Sequence, residues 1–421
     1  MKSKQENSSK SAQFRSLSVL IAVACIDMFG FAMIFPLLPF YALEMNISPQ
    51  FIGVIIASFS VAQLLAAPLW GRVSDRYGRR PALLIGLTAS TISFVVFGFA
   101  NSFWLLLLSR IIQGAGGGTT GVLHAYVADT IPAEDRARSL GWLSAATSAG
   151  TMIGPVIGST AAYWGQAAPG LVAASLCAVN IVFAWGWLEE SSKVDEDSRN
   201  RKRKPVWHSA WTIVRHPART VSRLVWIYAI GMLAFSSFTS VIALFLGSEF
   251  GVNERSIGYV FLYIGFLSVV MRSFLLGPAV TRLGETWSMR LGSIALIAGF
   301  IAYPLATGFW TLALVMPLVP IGTALLFPTT TALTSRWVEK SELGTTMGTA
   351  QTFAGMSRTI APLITTTLFQ RVSPAMPLYV GASYIVVVLF LSLRVQDGEA
   401  SKEVDDEPKS GSLREEPSES V

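Results

Sequence analysis

Twelve apolar runs separated by short polar connections make up most of this chain. Each run is long enough to cross a hydrocarbon core of ~30 Å as an α-helix that rises ~1.5 Å per residue. The runs lack the alternation of barrel strands, and lipid tolerates no unpaired backbone, so the spans must be helical. The pattern predicts an all-α membrane protein with twelve transmembrane helices, at about residues 17–40, 49–70, 81–100, 103–130, 138–164, 168–188, 223–248, 256–277, 288–307, 309–336, 343–370 and 376–394.

Composition and the placement of charge agree with that pattern. Of the 421 residues, 52% are hydrophobic and 14% are charged, which is too little charge to cover a soluble domain of this size. Of the 32 Lys and Arg residues, 27 lie at the termini or in alternate connections, which predicts that these segments and both termini are cytoplasmic. We therefore expect a multi-pass protein of the plasma or inner membrane. The net charge of +6 is explained by these basic residues at the membrane surface, so no nucleic-acid partner is expected.

The longest internal connection divides the chain into two halves. It is acidic from Glu189 to Asp197 and basic from Arg199 to Lys204, and an amphipathic helix follows. A solvated linker is the favoured interpretation, with a regulatory site as the alternative. We predict a disordered cytoplasmic tail at 1–16, an N-terminal six-helix bundle at 17–188, a cytoplasmic linker with an amphipathic helix at 189–222, a C-terminal six-helix bundle at 223–395 and a disordered acidic cytoplasmic tail at 396–421.

A charged decapeptide connects the second and third runs: Gly71-Arg72-Val73-Ser74-Asp75-Arg76-Tyr77-Gly78-Arg79-Arg80. An ordinary positive loop would explain its arginines but not the spacing of its two glycines and its aspartate. Glycine permits close backbone approach and a turn with positive φ, and Asp75 can lie at the partly positive N-terminus of another helix. Asp129, at the end of the fourth run, is placed to pair with Arg76 or Arg79. A degenerate copy, Gly277 to Glu285, follows the eighth run and indicates an internal repeat.

The fourth run carries a polar stripe. Spacings of three and four residues place Arg110, Gln113, Gly117, Thr120 and His124 on one helical face, while neighbouring glycines permit close helix contact. A guanidinium within a bilayer costs ~2.5 kcal/mol or more, so Arg110 should face a polar cavity or an acid. For His124, a cavity-lining or helix-contact role is favoured over proton carriage.

The first run contains the acid Asp27, nine residues before Pro36. Apolar surroundings favour the neutral form of a carboxyl group, so a group in this position can take up and release a proton near neutral pH. Asp27 is our first choice for proton coupling, together with Arg110. A structural salt bridge between these two residues is the alternative, and the two roles are compatible.

The fifth run carries Gly150-Thr151-Met152-Ile153-Gly154-Pro155-Val156-Ile157-Gly158-Ser159. Glycines four residues apart let a neighbouring helix pack closely, and Pro155 removes one backbone hydrogen bond. Generic small-residue packing would explain the glycines, but the Gly-Pro step points to a more specific motif.

These motifs resemble those of the major facilitator superfamily, and in particular the twelve-helix drug/proton antiporter branch that contains the tetracycline exporters. The decapeptide is similar to the loop between helices 2 and 3, where it implies a conformational latch formed by Gly71, Asp75, Arg76, Gly78, Arg79, Arg80 and Asp129. Gly150, Gly154, Pro155 and Gly158 resemble the antiporter motif of helix 5. The resemblance implies two six-helix bundles related by a pseudo-twofold axis, with substrate bound between them near the membrane midplane. Ser93 stands where tetracycline exporters carry an acid, which argues against tetracycline as the substrate.

Aromatic and basic side chains complete the predicted substrate cavity. Three arginines within apolar runs face one deep acid, which favours an anionic, zwitterionic or neutral amphipathic substrate over an organic cation. The predicted lining is Phe31, Gln113, Gly117, His124, Phe235, Phe238, Arg272, Phe327 and Arg358.

The sequence thus predicts a secondary transporter that exports a small amphipathic molecule in exchange for a proton. No Gly-x4-Gly-Lys-Ser/Thr loop, metal cluster or nucleophile triad is evident, so we expect no enzymatic activity, no cofactor and no metal. The expected partners are a small-molecule substrate, protons and the lipid bilayer, with the protein working as a monomer. One alternative is a proton symporter or uniporter for an organic anion or metabolite. Another is a membrane receptor that binds its ligand without moving it.

Overall fold

The structure, a computed structural model, describes residues 2–188, 190, 206–217, 219–339 and 342–395. Throughout these residues the regular secondary structure is helical. The α-helices are α1 Lys2–Ile34, α2 Leu38–Glu44, α3 Pro49–Tyr77, α4 Arg79–Gly98, α5 Phe103–Gly116, α6 Thr119–Thr130, α7 Ala133–Ala161, α8 Ala168–Trp187, α9 Val206–Arg215, α10 Thr220–Phe250, α11 Ile257–Val270, α12 Leu276–Ala302, α13 Phe309–Val315, α14 Leu318–Trp337, α15 Leu343–Arg371 and α16 Met376–Leu393. One π-helical turn, Met271–Leu275, joins α11 to α12.

The helices make twelve membrane passes, which confirms the predicted fold class. Within the described residues, eight helical segments are long and apolar enough to span a bilayer. One of them, Ile257–Leu305, contains two passes because the chain leaves helical geometry at Gly284. Three further passes complete the count. The fourth pass is divided into α5 and α6, which are 14 and 12 residues long and so too short singly, and α7 and α15 carry many small and polar side chains.

The N-terminal segment differs from prediction. Helix α1 begins at Lys2, so residues 2–16 are helical where we predicted disorder. A helix nucleated in the first pass extends at low cost because each added residue contributes one hydrogen bond. Helix α9 lies in the linker, where an amphipathic helix is predicted. The acidic-to-basic stretch at 191–205 and the tail at 396–421 lie outside the described residues.

Helix packing groups the first six passes and the last six passes separately. In the first group α1 packs against α7 and α8, and α4 packs against α5 and α8. In the second group α10 packs against α15 and α16, and α12 packs against α14 and α16. Two seams join the groups, one between α3 and α15 and the other between α7 and α11.

Two glycines with positive φ mark equivalent turns in the two groups. Gly78, between α3 and α4, has φ 99° and ψ 163°, and Gly284, within α12, has φ 79° and ψ 169°. Residues that carry a side chain rarely adopt this backbone conformation, which explains why glycine is present at both turns. The matching backbone geometry supports the internal repeat that the sequence indicates.

We call the face that carries the Gly71–Arg80 loop the basic face. The seams are closed on the side opposite to it: the Gln50 backbone N–H donates to Gln370 Oε1 across 3.0 Å, and Gly53 lies against Thr366 and Pro362. Toward the basic face, open space surrounds Gly71 on α3 and Gly344 on α15. These contacts between α3 and α15 therefore lie away from the basic face.

Candidate transport site

Asp27 lies inside the first group of passes, with 6% of its surface exposed. Its Oδ2 accepts a hydrogen bond of 2.8 Å from the hydroxyl of Thr119, the first residue of α6. Thr119 was missed by the sequence analysis, which placed Thr120 on the polar stripe instead.

The fourth pass is broken, and this break positions Thr119. Helix α5 ends at Gly116 and α6 begins at Thr119, so the predicted continuous stripe from Arg110 to His124 is wrong. Two side chains of α3 bond to carbonyls near the break: Gln63 Nε2 to Gly117 O at 3.3 Å and Trp70 Nε1 to Ala115 O at 2.6 Å. The two parts of the pass do not form one regular helix. His124 is therefore exposed, whereas Arg110 and Gln113 are buried.

Arg110 lies within α5 and is 3% exposed. Its guanidinium carbon stands 5.3 Å from the centre of the Phe97 ring, a cation–π geometry. Its Nε and Nη2 atoms, and Oε1 of Gln113, are buried and have no hydrogen-bond partner among the described residues. No ion pair joins Arg110 to Asp27 in the described part of the chain, so this conformation lacks the salt bridge considered as an alternative.

Ser93 occupies the position at which the resemblance places an acid in tetracycline exporters. Its hydroxyl is buried and donates to the carbonyl of Ser109, at 2.7 Å, directly before Arg110. This contact joins α4 to α5. Ser93 therefore has a packing role beside the buried guanidinium.

A pocket of about 510 Å³ opens in the second group of passes. Its lining is Tyr228, Arg272, Phe327, Pro328, Thr331, Ala332 and Ser335. The Phe327 ring lies edge-on to Tyr228 and to Phe235, with centroid distances of 5.6 and 6.0 Å. Gln351 on α15 donates to the Tyr228 hydroxyl across 3.1 Å, and Arg358, on the same helix, is half-buried.

Two of the predicted aromatic lining residues lie elsewhere. Phe238 is 4% exposed and packs in the core between Phe300 and Tyr303, with ring centroids 5.5 and 5.3 Å away, so its assignment to the cavity is wrong. Phe235 instead contacts Phe327 of α14, so the two phenylalanines of α10 have different ring partners. Phe31 is in the first group, where its ring lies 5.5 Å from that of Phe59 on α3.

Arg79 is the centre of the charged cluster on the basic face. Its Nε contacts Asp129 Oδ2 at 2.8 Å, and its Nη1 contacts Asp75 Oδ1 at 2.6 Å and Ser74 Oγ at 2.8 Å. Of the two arginines expected to pair with Asp129, the structure brings Arg79 to it. Arg76 instead lies 5.4 Å from the Tyr77 ring. The cluster ties the end of α3 and the start of α4 to the end of α6.

Glu190, which follows α8, also belongs to this cluster and was not singled out in the sequence. Its carboxylate accepts hydrogen bonds from the backbone N–H groups of Arg79 at 2.8 Å and Arg80 at 3.2 Å, at the N-terminus of α4. A Cβ at Gly78 would lie 2.6 Å from Glu190 Oε2, so glycine leaves room for this cap. Arg80 in turn donates to the Trp185 carbonyl and lies over the Trp185 ring.

The second group carries a charge-reversed counterpart of the Arg79–Asp129 pair. Glu285, directly after Gly284, contacts Arg336 near the end of α14 at 2.9 Å. Arg79 likewise follows Gly78 directly, and Asp129 lies near the end of α6. The sequence repeat covers Gly277 to Glu285 but not Arg336, so this pairing depends on the packing of α12 against α14.

Helix α7 contacts both groups through the predicted antiporter motif. Its glycines pack on α1: Gly150 against Cys25 and Met28, Gly154 against Ala32, and Gly158 against Met33. On the other side, Pro155 lies against Gly258 of α11. The Ser159 hydroxyl accepts from the Gly258 N–H at 2.9 Å and donates to the Glu254 carbonyl at 2.7 Å, so it joins the halves at the closed side.

Two packed groups of six passes, with a pocket in the second group and buried ionisable groups at bilayer depth, define a multi-pass membrane transporter. A family model described as Major Facilitator Superfamily matches residues 20–275 and 224–418. The chain belongs to the Major Facilitator Superfamily.

The chain is similar in sequence to several resistance proteins. It is 26% identical to the tetracycline resistance protein, class B, of Escherichia coli over 90% of this chain and 95% of that protein. It is 27% identical to multidrug resistance protein 2 of Bacillus subtilis over 83% of this chain and 88% of that protein. It is 26% identical to the quinolone resistance protein NorA of Staphylococcus aureus over 86% of this chain and 92% of that protein.

Solved structures share the fold. The nucleoside transporter NupG superposes with a TM-score of 0.72 at 13% identity, over 90% of this chain and 99% of that one. The human organic anion transporter MFSD10 (TETRAN) superposes with a TM-score of 0.66 at 21% identity, with the same two coverages. These similarities confirm the fold of a superfamily transporter.

Proposed function

We propose that this protein exports a small amphipathic molecule in exchange for protons by alternating access. The observation that carries the proposal is Asp27, a carboxyl group buried among the passes with a neutral threonine, rather than a basic residue, as its hydrogen-bond partner. Without a fixed counter-charge, the carboxyl group can be charged or neutral as the surroundings change. The resistance and multidrug proteins to which the chain is similar support export as the physiological direction.

Arg110 supplies the second half of the proton site. Its two unpartnered nitrogen atoms are costly in a buried position, so a conformation that brings Asp27 to them would stabilise the deprotonated carboxylate. Protonation of Asp27 would release that pair and favour the conformation described here, in which Asp27 bonds to Thr119. Coupling follows because the two protonation states favour different arrangements of the first six passes.

We infer that the basic face is cytoplasmic, because the lysines and arginines of the connections are concentrated there, and that the two groups part on this side in the present conformation. The conformation thus receives substrate from the cytoplasm. Closing the basic face and parting the seams at Ser159 and Gln370 would release substrate outside. The Arg79 cluster acts as the latch that changes partners during this movement. The protein acts without chemistry on its substrate, as a monomer.

Proteoliposomes with an imposed pH gradient test this proposal. We expect an amphipathic dye to move opposite to the proton flux, at a rate that vanishes when an ionophore collapses the gradient. Movement in the same direction as protons would instead establish a symporter. Dye binding without any flux would establish a receptor, and either result would contradict the proposal.

A further inference from the structure

The pocket of the second group contains positive charge that the protein does not neutralise. Arg272 lines the pocket, and Arg358 lies on α15, the helix whose Gln351 donates to Tyr228 on the pocket wall. Among the described residues, neither guanidinium makes a hydrogen bond or an ion pair with a protein acceptor. Both lie near the middle of their passes, at 257–283 and 343–371, where an uncompensated charge is most costly.

No carboxylate of the second half is available to them from the passes themselves. The sequence has no Asp or Glu in residues 220–248, 257–283, 286–337 or 343–393. The one deep acid of the first half, Asp27, is buried there and bonded to Thr119. The described residues therefore provide no counter-ion for either guanidinium.

The pocket also has an apolar wall suited to an organic group. Tyr228 and Phe327 meet edge-on and lie on two different helices, α10 and α14. The pocket volume of about 510 Å³ is in the range of small-molecule sites. Arg272 sits in the π-helical turn Met271–Leu275, and such turns occur frequently at functional sites because they displace one side chain from the regular helical register.

We propose that the transported substrate is an amphipathic organic anion. Its carboxylate or sulfonate group binds Arg272 and Arg358, and its apolar body lies against Tyr228 and Phe327. A planar guanidinium is well matched to such acid groups because it can donate two parallel hydrogen bonds to their oxygen atoms. This inference rests on the proposed transport function and adds the charge of the substrate to it.

Three fluorescent probes that share one fluorophore test the charge preference. Dansylglycine is anionic, dansylamide is neutral and dansylethylenediamine is cationic at neutral pH. Binding to the full chain is measured by dansyl emission in nanodiscs of phosphatidylcholine, which contain no anionic headgroups to compete for the arginines. We expect dansylglycine to bind at least about tenfold more tightly than either other probe. Equal binding of the three probes, or a preference for the cation, would overturn the proposal.

Variants locate the preference in the pocket. Arg272→Gln and Arg358→Gln should each weaken dansylglycine binding about tenfold and leave dansylamide binding within about twofold. Arg272→Lys keeps the positive charge and should retain part of the preference for dansylglycine. Such retention would show that the weaker binding of Arg272→Gln comes from the lost charge and not from misfolding. Arg371→Gln is the matched control, since Arg371 is exposed at the far end of α15. A preference that survives in both glutamine variants would show that the anion binds elsewhere.

The same probes separate this inference from the proposed function. Gradient-driven flux of dansylethylenediamine but not of dansylglycine would leave proton-coupled export intact and reject the anionic substrate. Selective dansylglycine binding with no flux of any probe would reject transport and leave the anion site intact.

Discussion

The hydroxyl of Thr119 donates to Asp27 Oδ2 across 2.8 Å and so links the first residue of α6 to α1. The link depends on the break of the fourth pass, because Thr119 becomes the start of a helix there rather than its middle. Any change in the charge of Asp27 therefore acts on the junction between α5 and α6, next to the buried Arg110. This connection offers a physical route from proton binding to movement of the first half.

Replacing Thr119 tests that route. Thr119→Val keeps the side-chain shape but removes the hydrogen bond to Asp27, which is worth ~0.5–1.5 kcal/mol when the acceptor is a neutral carboxyl group. We expect gradient-driven transport to fall about tenfold, with Thr119→Ser, which keeps the hydroxyl, close to the parent rate. The measurement is the initial dye flux in proteoliposomes at equal reconstituted protein. Equal rates for Thr119→Val and the parent would show that the link plays no part in coupling.

The ion pair between Glu285 and Arg336, 2.9 Å apart, allows a charge-exchange test of whether their attraction contributes to turnover. Reversing one charge, as in Glu285→Arg, places two cations side by side at a site where the glutamate is 8% exposed. We expect a severalfold loss of turnover. Adding Arg336→Glu should restore most of it, since the pair is re-formed with the charges exchanged.

A double variant as slow as the single one would show that the identities of these residues matter beyond their attraction. The melting temperature of each variant distinguishes that result from general unfolding. Restoration by the exchanged pair is expected in both the melting temperature and the flux.

Gly78 and Gly71 form a matched pair for a stability test. A side chain at Gly78 meets both a positive φ of 99° and the carboxylate of Glu190, whereas the space around Gly71 is open. We expect Gly78→Ala to cost about 1–3 kcal/mol and to lower the melting temperature, while Gly71→Ala leaves it unchanged. If the two variants melted alike, the turn at Gly78 would not need glycine.

Several of these features were predictable from the sequence, for identifiable reasons. Apolar run length determines the number of passes, because a bilayer imposes a fixed thickness. The pairing of Asp129 with an arginine of the loop followed from the ends of neighbouring passes meeting at one face. Thr119 could not be identified in this way. Residue spacing gives a common face only on a regular helix, and the fourth pass is interrupted after Gly116. The spacing of Phe235 and Phe238 likewise cannot tell which side of α10 faces a pocket until the neighbouring helices are placed.

Contacts between distant segments were also beyond the sequence. Glu190 caps α4 across more than a hundred residues, and the stretch around it appeared to be an acidic linker. Gln63 and Trp70 donate hydrogen bonds to carbonyls near the break in the fourth pass. Predicting these two bonds would require knowing where the pass is interrupted. A sequence signal existed in one case: Ser159, in place of the last glycine of its motif, supplies the hydroxyl that joins α7 to Gly258.

Proton coupling at Asp27 is tested most directly by comparing two kinds of flux in Asp27→Asn. Asparagine keeps the shape of the side chain and can still bond to Thr119, but it cannot exchange a proton. We expect Asp27→Asn to lose uphill dye transport driven by a pH gradient while it retains dye exchange between equal internal and external concentrations. Full uphill transport by Asp27→Asn would contradict the proton-carrying role of this carboxyl group.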